Sequence, residues 1–244
     1  MALLDEARVR LMSDNGTRGP VAVGRDDVLT PSARTWLREH RVEVVYPQGG
    51  GGEGGDKPGP RYQTLFGAAL EEKPEHMTHL RGNILVFKDH PRIVFRGYID
   101  RLEAEISLCQ RTCAQEGYKK LAAELGEVLE FVRKFIRYDV LDEPVGEFRL
   151  CGMGPEELRE KSHYPEKYFG QPHFMVSAAD SPALLEVNRV RTTVRQTELA
   201  AYRAFRNRDG GVERGDIILG LNRLSSLFWI FMIKLKAGKY ERSD

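Results

Sequence analysis

The chain has 244 residues, 41% of them apolar, enough for one substantial packed domain and a small appendage. Its 37 Lys and Arg nearly balance 36 Asp and Glu, so no whole-molecule field draws it to nucleic acid or to an anionic membrane. Any anion site must be local.

The N-terminal text MALLDEARVRLMSDNG intersperses acids and bases among short apolar runs. It lacks the apolar core of a signal peptide, so a cytoplasmic setting is expected. Residues 1–47 read as a small α/β unit. Thr30 caps a helix, Pro31 takes its first position, SARTWLREH continues it, and RVEVVY follows as a strand. From Gly49 to Pro60, GGGGEGGDKPGP holds seven glycines and two prolines. Such a stretch buries almost no side-chain area, so residues 48–72 are assigned to a flexible linker.

Residues 73–244 are assigned to a helical domain, with helices predicted near 92–115, 118–140, 155–161, 181–208 and 213–236 and almost no strand pattern. Val187, Val190, Val194, Ala201 and Phe205 fall in one stripe at the helical period. Ile217, Leu221, Leu224, Phe228, Phe231 and Leu235 repeat it in the last helix. The longest apolar run, Leu224 to Ile233, contains two serines and falls short of the ~20 residues that span a bilayer, so it is expected as a buried helix. The predicted fold is mainly α, an up-and-down bundle of about five helices with the small α/β appendage. Cys109, Cys113 and Cys151 form neither a disulfide framework nor a metal-ligand pattern, and they read as buried or inert thiols.

Three clusters could carry chemistry. Arg191, Arg195 and Glu198 share one helix face at the edge of the apolar stripe. A solvated face with Glu198 paired to Arg195 is one reading. The local excess of arginine, whose planar fork suits phosphate, makes a polyphosphate site the other. Asn222, Ser226 and Trp229 share a polar face on an otherwise apolar helix, with Arg223 and Ser225 beside them. They fit either an interhelical hydrogen-bond cluster or a ligand site. Asp100 lies one turn after Arg96, near the start of a long helix.

The stretches KPEHMTHL, KDHPRIVFRGYID, LDEPV, VNRVRTTVRQTELAAYRAF and ILGLNRLSSLF, in that order, resemble the ethanolamine-utilisation type of ATP:cob(I)alamin adenosyltransferase. The resemblance covers roughly residues 73–236, and LTPSARTWLREHRVEVVY resembles that type's leading segment. KDHPR followed by Asp100, the Arg191, Arg195 and Glu198 spacing, and NRLS are also similar to the propanediol-utilisation type.

The resemblance implies transfer of the 5′-deoxyadenosyl group of ATP to cob(I)alamin by trimers of five-helix bundles, with active sites between subunits. It places Arg191, Arg195, Glu198 and Asn222 in the ATP site, pairs Asp100 with Arg191, and sets Phe174 against the lower face of the corrin. Cob(II)alamin is the form reduced to enter the reaction, by a cobalamin reductase, and Mg²⁺ or a similar ion is expected on the ATP phosphates. An adenosylcobalamin-dependent lyase would receive the product, in the cytoplasm or a bacterial microcompartment.

Two departures stand out. The histidine and CCxxC cluster common in the ethanolamine type is absent, so no structural metal is expected there, and the H-x-x-H of His76 and His79 lacks a third ligand. The glycine-rich phosphate loop of the propanediol type is replaced by THLRGNILVFK, where Thr78, Arg81 and Lys88 are the candidates to hold triphosphate. A corrinoid-delivery protein without turnover, or a microcompartment scaffold, remain the alternatives; the arginines and Asn222 favour the enzyme.

Overall fold

The computed structural model describes residues 3–4, 6–13, 21–23, 28–40, 42, 44–45, 61–207 and 209–243. The glycine-rich text of residues 49–60 lies outside them. The chain divides into two compact units, Met1–Lys57 and Pro58–Asp244.

In the first unit, β1 (Leu3–Leu4), α1 (Glu6–Ser13), β2 (Val21–Ala22), β3 (Val28–Leu29), α2 (Pro31–Glu39) and β4 (Val44–Val45) follow in order. β1 pairs in parallel with β3, and β2 with β4. Leu4, Val9, Val21, Val23, Ala33 and Leu37 are buried together as its core. α2 starts as its sequence dictates: the Thr30 hydroxyl accepts from the Ala33 N–H at 3.3 Å, and Pro31 occupies the first turn, where a missing N–H costs nothing.

The second unit opens with β5 (Tyr62–Thr64), β6 (Ala69–Leu70), β7 (Met77–Arg81) and β8 (Ile84–Phe87). They form one sheet in the order β6-β5-β8-β7, with β5 parallel to β8 and the other pairs antiparallel. This differs from the sequence reading, which gave residues up to 72 to the linker and expected helix beyond. The strands are too short for a readable alternation. Their anchors are single pairs, Met77 with Leu80 and Leu85 with Val86, all buried. A two-residue turn joins β7 to β8, and Gly82 supplies its left-handed φ of 50°.

The helices follow: α3 (Pro91–Gln115), α4 (Lys119–Val140), α5 (Pro155–His163), α6 (Pro165–Phe169), α7 (Pro182–Phe205) and α8 (Gly215–Lys236). α7 packs between α3 and α8, α4 lies against both α3 and α8, and α5 and α6 cover α8. This is the expected bundle. Val187, Val190, Val194, Ala201 and Phe205 of α7 are buried, as are Ile217, Leu221, Leu224, Phe228 and Phe231 of α8. Their burial removes the apolar stripes from water and is the main force holding the bundle. α8 as a whole is long and apolar enough to cross a bilayer by length and composition, longer than the run Leu224 to Ile233 suggests. It is instead the helix that α4, α5, α6 and α7 pack around.

One buried carboxylate ties the sheet to the bundle. Asp139, near the end of α4, is fully buried between Arg92 Nε (2.7 Å) and Arg96 Nε (2.6 Å) of α3. Arg96 also donates to the carbonyls of His79 (3.2 Å) and Leu80 (2.7 Å) in β7. Each of the three nitrogens of that guanidinium is engaged, so α3 and β7 cannot separate without exposing a buried charge.

Candidate active site

α7 and α8 pack side by side, and a cleft of about 570 Å³ opens between them and the chain that precedes α7. Asn188, Arg191 and Arg195 line it from α7, Ser225, Ser226 and Trp229 from α8, and His173 to Val176 from the preceding segment, with Ser162 and His163 at the end of α5. The polar face of α8 and the arginine face of α7 therefore meet, as helical spacing requires of two neighbouring helices.

Arg191 is half-buried. Its Nε and Nη2 donate to Asn188 Oδ1 at 3.2 and 3.1 Å, and its guanidinium carbon lies 5.6 Å from the centre of the Trp229 ring. Burial lowers its pKa, and the neighbouring Arg195 lowers it further. No carboxylate offsets either effect among the described residues. This cation is poised for an anionic ligand. Arg195 is exposed on the cleft wall.

Glu198 does not pair with Arg195. Its Oε1 accepts instead from Asn222 Nδ2 at 2.9 Å, across the α7–α8 seam. Asn222 Oδ1 in turn accepts from Arg223 Nη1 at 2.6 Å. The spacing of α8 then carries the same face through Ser225 and Ser226 to Trp229.

The floor is aromatic. Trp229 is nearly parallel to His173 (centres 5.6 Å apart, 12° between planes) and to Phe174 (5.3 Å, 21°). Lys236 Nζ lies 5.5 Å from the Phe174 ring centre and ion-pairs with Asp180 at 2.5 Å. A flat ring surface beside two cations can take a flat apolar ligand and an anionic one at once.

Glu198 and Asn222 lie on the α7–α8 seam and do not themselves line the cleft, and the remaining sequence candidates lie elsewhere in this chain. Asp100 is exposed on α3, and Arg191 is engaged by Asn188 and Trp229 rather than by a carboxylate. Thr78 and Arg81 sit on β7, and Lys88 follows β8, ion-paired with Glu75 at 3.0 Å. None of the three lines the cleft. His76 stacks on Phe87, and His79 meets Tyr62 edge-on. Both are exposed; a three-residue spacing serves a shared ligand on a helix, but along a strand it points to opposite faces. Cys109 and Cys113 are buried on α3, where their mutual hydrogen bond and burial push the Cys109 thiol far up. Burial likewise pushes the Cys151 thiol up to about 12. Sequence reasoning passed over Asn188, whose only advance sign was its place one turn before Arg191.

A helical bundle with a cationic and aromatic cleft between two of its helices offers a place for an anionic ligand beside a flat apolar one, and comparison with known proteins makes the class particular. Residues 68–235 match the cobalamin adenosyltransferase family. The corrinoid adenosyltransferase EutT of Salmonella typhimurium is 31% identical over 229 residues, covering 85% of this chain and 82% of that protein. EutT of Escherichia coli K12 is 30% identical over 224 residues, with the same coverage. Among solved structures, a variant PduO-type ATP:corrinoid adenosyltransferase from Lactobacillus reuteri, complexed with cobalamin and ATP, matches with a TM-score of 0.50 and 15% identity, over 69% of this chain and 93% of that one. A second variant of that enzyme, complexed with ATP, matches with the same TM-score and 17% identity over the same shares. At such identities the likeness is one of fold. The chain belongs to the cobalamin adenosyltransferase family, as a corrinoid adenosyltransferase of the EutT type.

Proposed function

We infer that this protein transfers the 5′-deoxyadenosyl group of ATP to the cobalt of cob(I)alamin, giving adenosylcobalamin and triphosphate. The observation that carries the reading is the convergence of Arg191 and Arg195 with the Phe174 and Trp229 rings in one cleft, in a chain of this family.

The electron pair of Co(I) attacks C5′ of ATP. A Co–C bond forms, the C5′–O bond breaks, and the pair leaves with triphosphate, so cobalt ends formally as Co(III). The protein supplies no nucleophile. Its work is to align the ribose with the cobalt and to stabilise charge on the departing triphosphate. We assign leaving-group stabilisation to Arg191 and Arg195, and nucleoside hydrogen bonding to Asn222, held by Glu198. Phe174 and Trp229 offer the apolar face beneath the corrin, which excludes water from the lower side of cobalt and so eases reduction of cob(II)alamin.

Among the described residues, no group of three His, Cys, Asp or Glu side chains is placed to hold an ion. We assign Mg²⁺ or a similar ion to the ATP phosphates, as part of the substrate, because ATP ordinarily carries a divalent ion there.

We further propose a homotrimer in which the sheet of one copy closes the cleft of the next, bringing Thr78, Arg81 and Lys88 to the triphosphate and Asp100 to Arg191 of a neighbour. The exposed apolar side chains of Leu185, Leu199 and Tyr202 on α7 support an interface there. A cobalamin reductase would supply the electron, and an adenosylcobalamin-dependent lyase would take the product. A bacterial cytoplasm or a microcompartment lumen is the setting we propose, with residues 1–47 as a separate module joined by the glycine-rich stretch. ATP-dependent conversion of cob(I)alamin to adenosylcobalamin, followed by absorbance, tests the activity; corrin binding without any turnover would overturn it.

A further inference from the structure

Arg223 is 6% exposed, on a helix turn whose neighbours Leu221, Leu224 and Leu227 are wholly buried. Two other arginines held in the bundle, Arg96 and Arg214, engage all three of their nitrogens. Arg96 spends Nε, Nη1 and Nη2 on Asp139 and two carbonyls. Arg214 spends its three nitrogens on Asp216, Asp142 and the carbonyls of Tyr138 and Glu143. Arg223, among the described residues, makes one hydrogen bond, from Nη1 to Asn222 Oδ1, and its buried Nε has no partner. A guanidinium buried this way is costly to the fold. Its placement answers to Asn222.

A carboxamide has two unlike ends, an oxygen that only accepts and a nitrogen that only donates. In Asn222 the nitrogen faces the Glu198 carboxylate and the oxygen faces the Arg223 guanidinium. Turned over, the amide would set oxygen against carboxylate and NH₂ against guanidinium, and both contacts would repel. Glu198 is only half-buried and can move with a ligand, whereas Arg223 is locked inside the bundle.

We propose that Arg223 is a positioning residue for adenosyl transfer: acting through Asn222, it fixes the orientation of the carboxamide that the nucleoside of ATP meets. The role rests on the functional reading above. Neither Arg223 nor Asn222 lines the cleft itself; Asn222 lies one turn before Ser225 and Ser226, which do. Arg223 sets which end of Asn222 is offered, and it does so before ATP arrives.

The test is ATP affinity by calorimetry for wild type, Asn222→Ala, Arg223→Met, Arg223→Lys and the Asn222→Ala/Arg223→Met double variant, each shown folded by thermal unfolding. Loss of one charge-assisted hydrogen bond predicts about tenfold weaker binding in Arg223→Met. KM for ATP should rise in step while kcat at saturating ATP holds. Arg223→Lys should recover most of the loss, because a single charged donor is all that Asn222 uses. In the Asn222→Ala background, Arg223→Met should change nothing further. Additive losses, or a folded Arg223→Met with wild-type affinity, would overturn the proposal.

A second readout needs neither substitution at 223 nor ATP. The side-chain NH₂ pair of Asn222, assigned by its disappearance in Asn222→Ala, should be protected from solvent exchange in wild type. A freely exchanging pair overturns the positioning role even if Arg223→Met fails to fold. A protected pair in a protein that binds no ATP would instead sink the functional reading, and the positioning role of Arg223 with it.

Discussion

Arg191 lies over Trp229, its guanidinium carbon 5.6 Å from the ring centre, with both of its bonded nitrogens on Asn188. The anion-binding side chain and the aromatic floor are thus in contact before any ligand enters. A cation–π contact of this kind is worth ~0.5–2 kcal/mol, less than a charged pair with triphosphate can return. ATP should therefore draw Arg191 off the ring.

That movement has an optical consequence. The chain has two tryptophans, Trp36 and Trp229, so a Trp36→Phe protein reports Trp229 alone. Its emission should change on addition of ATP, and the change should vanish in Arg191→Ala. Emission indifferent to ATP at saturating concentration would mean that Arg191 stays on the ring.

Phe174→Ala removes one of the near-parallel rings on Trp229. Such a pair contributes ~0.5–1.5 kcal/mol beyond burial, so cob(II)alamin should bind about three- to tenfold more weakly. ATP affinity, measured separately, should be unchanged. A variant that loses ATP and keeps the corrin would place Phe174 in the wrong half of the site.

How much of this was legible beforehand differs by element. The helices were, because Thr30 and Pro31 mark the start of α2 and the apolar stripes of α7 and α8 run for several turns. The β7–β8 hairpin was not, since five and four residues give too few alternations to outweigh the helical text around them. The Arg191, Glu198 and Asn222 faces could be read from spacing, but their partners could not. Glu198 turned to a residue 24 positions away rather than to Arg195, a choice made by the α7–α8 seam. Asp100 and Arg191 were linked only by resemblance, and one chain leaves them apart.

His90 caps α3 through Nδ1, which accepts from the Arg92 N–H at 3.2 Å. Burial, followed by the charges of Arg92 and Arg96, lowers its pKa from the usual 6.5. In the folded state it binds fewer protons than the unfolded chain between that lowered value and 6.5, so stability rises with pH there. Its contribution is full above pH 6.5 and is lost as pH falls through the lowered pKa. His90→Asn keeps an acceptor without the titration. It should flatten the decline in Tm as pH falls below 6.5; an identical decline in both proteins would show that His90 is not its source.

At Gly220 of α8, an added Cβ would come within 2.9 Å of Phe135 Cζ and 3.6 Å of Phe131 Cζ. Phe135 is fully buried and has no room to give. Gly220→Ala gains helix propensity but should lose ~1–3 kcal/mol to overpacking, lowering Tm by several degrees. A Tm equal to or above wild type would mean that α4 and α8 approach less closely than this packing requires.

The central claim, that the α7 arginines serve adenosyl transfer, is tested most directly by one comparison. Wild type and Arg191→Ala would be assayed for adenosylcobalamin formation from cob(I)alamin and ATP by absorbance, with thermal unfolding of both. The account predicts ATP-dependent turnover in wild type and a loss of roughly a hundredfold or more in a folded Arg191→Ala. A folded variant that turns over at the wild-type rate would contradict it.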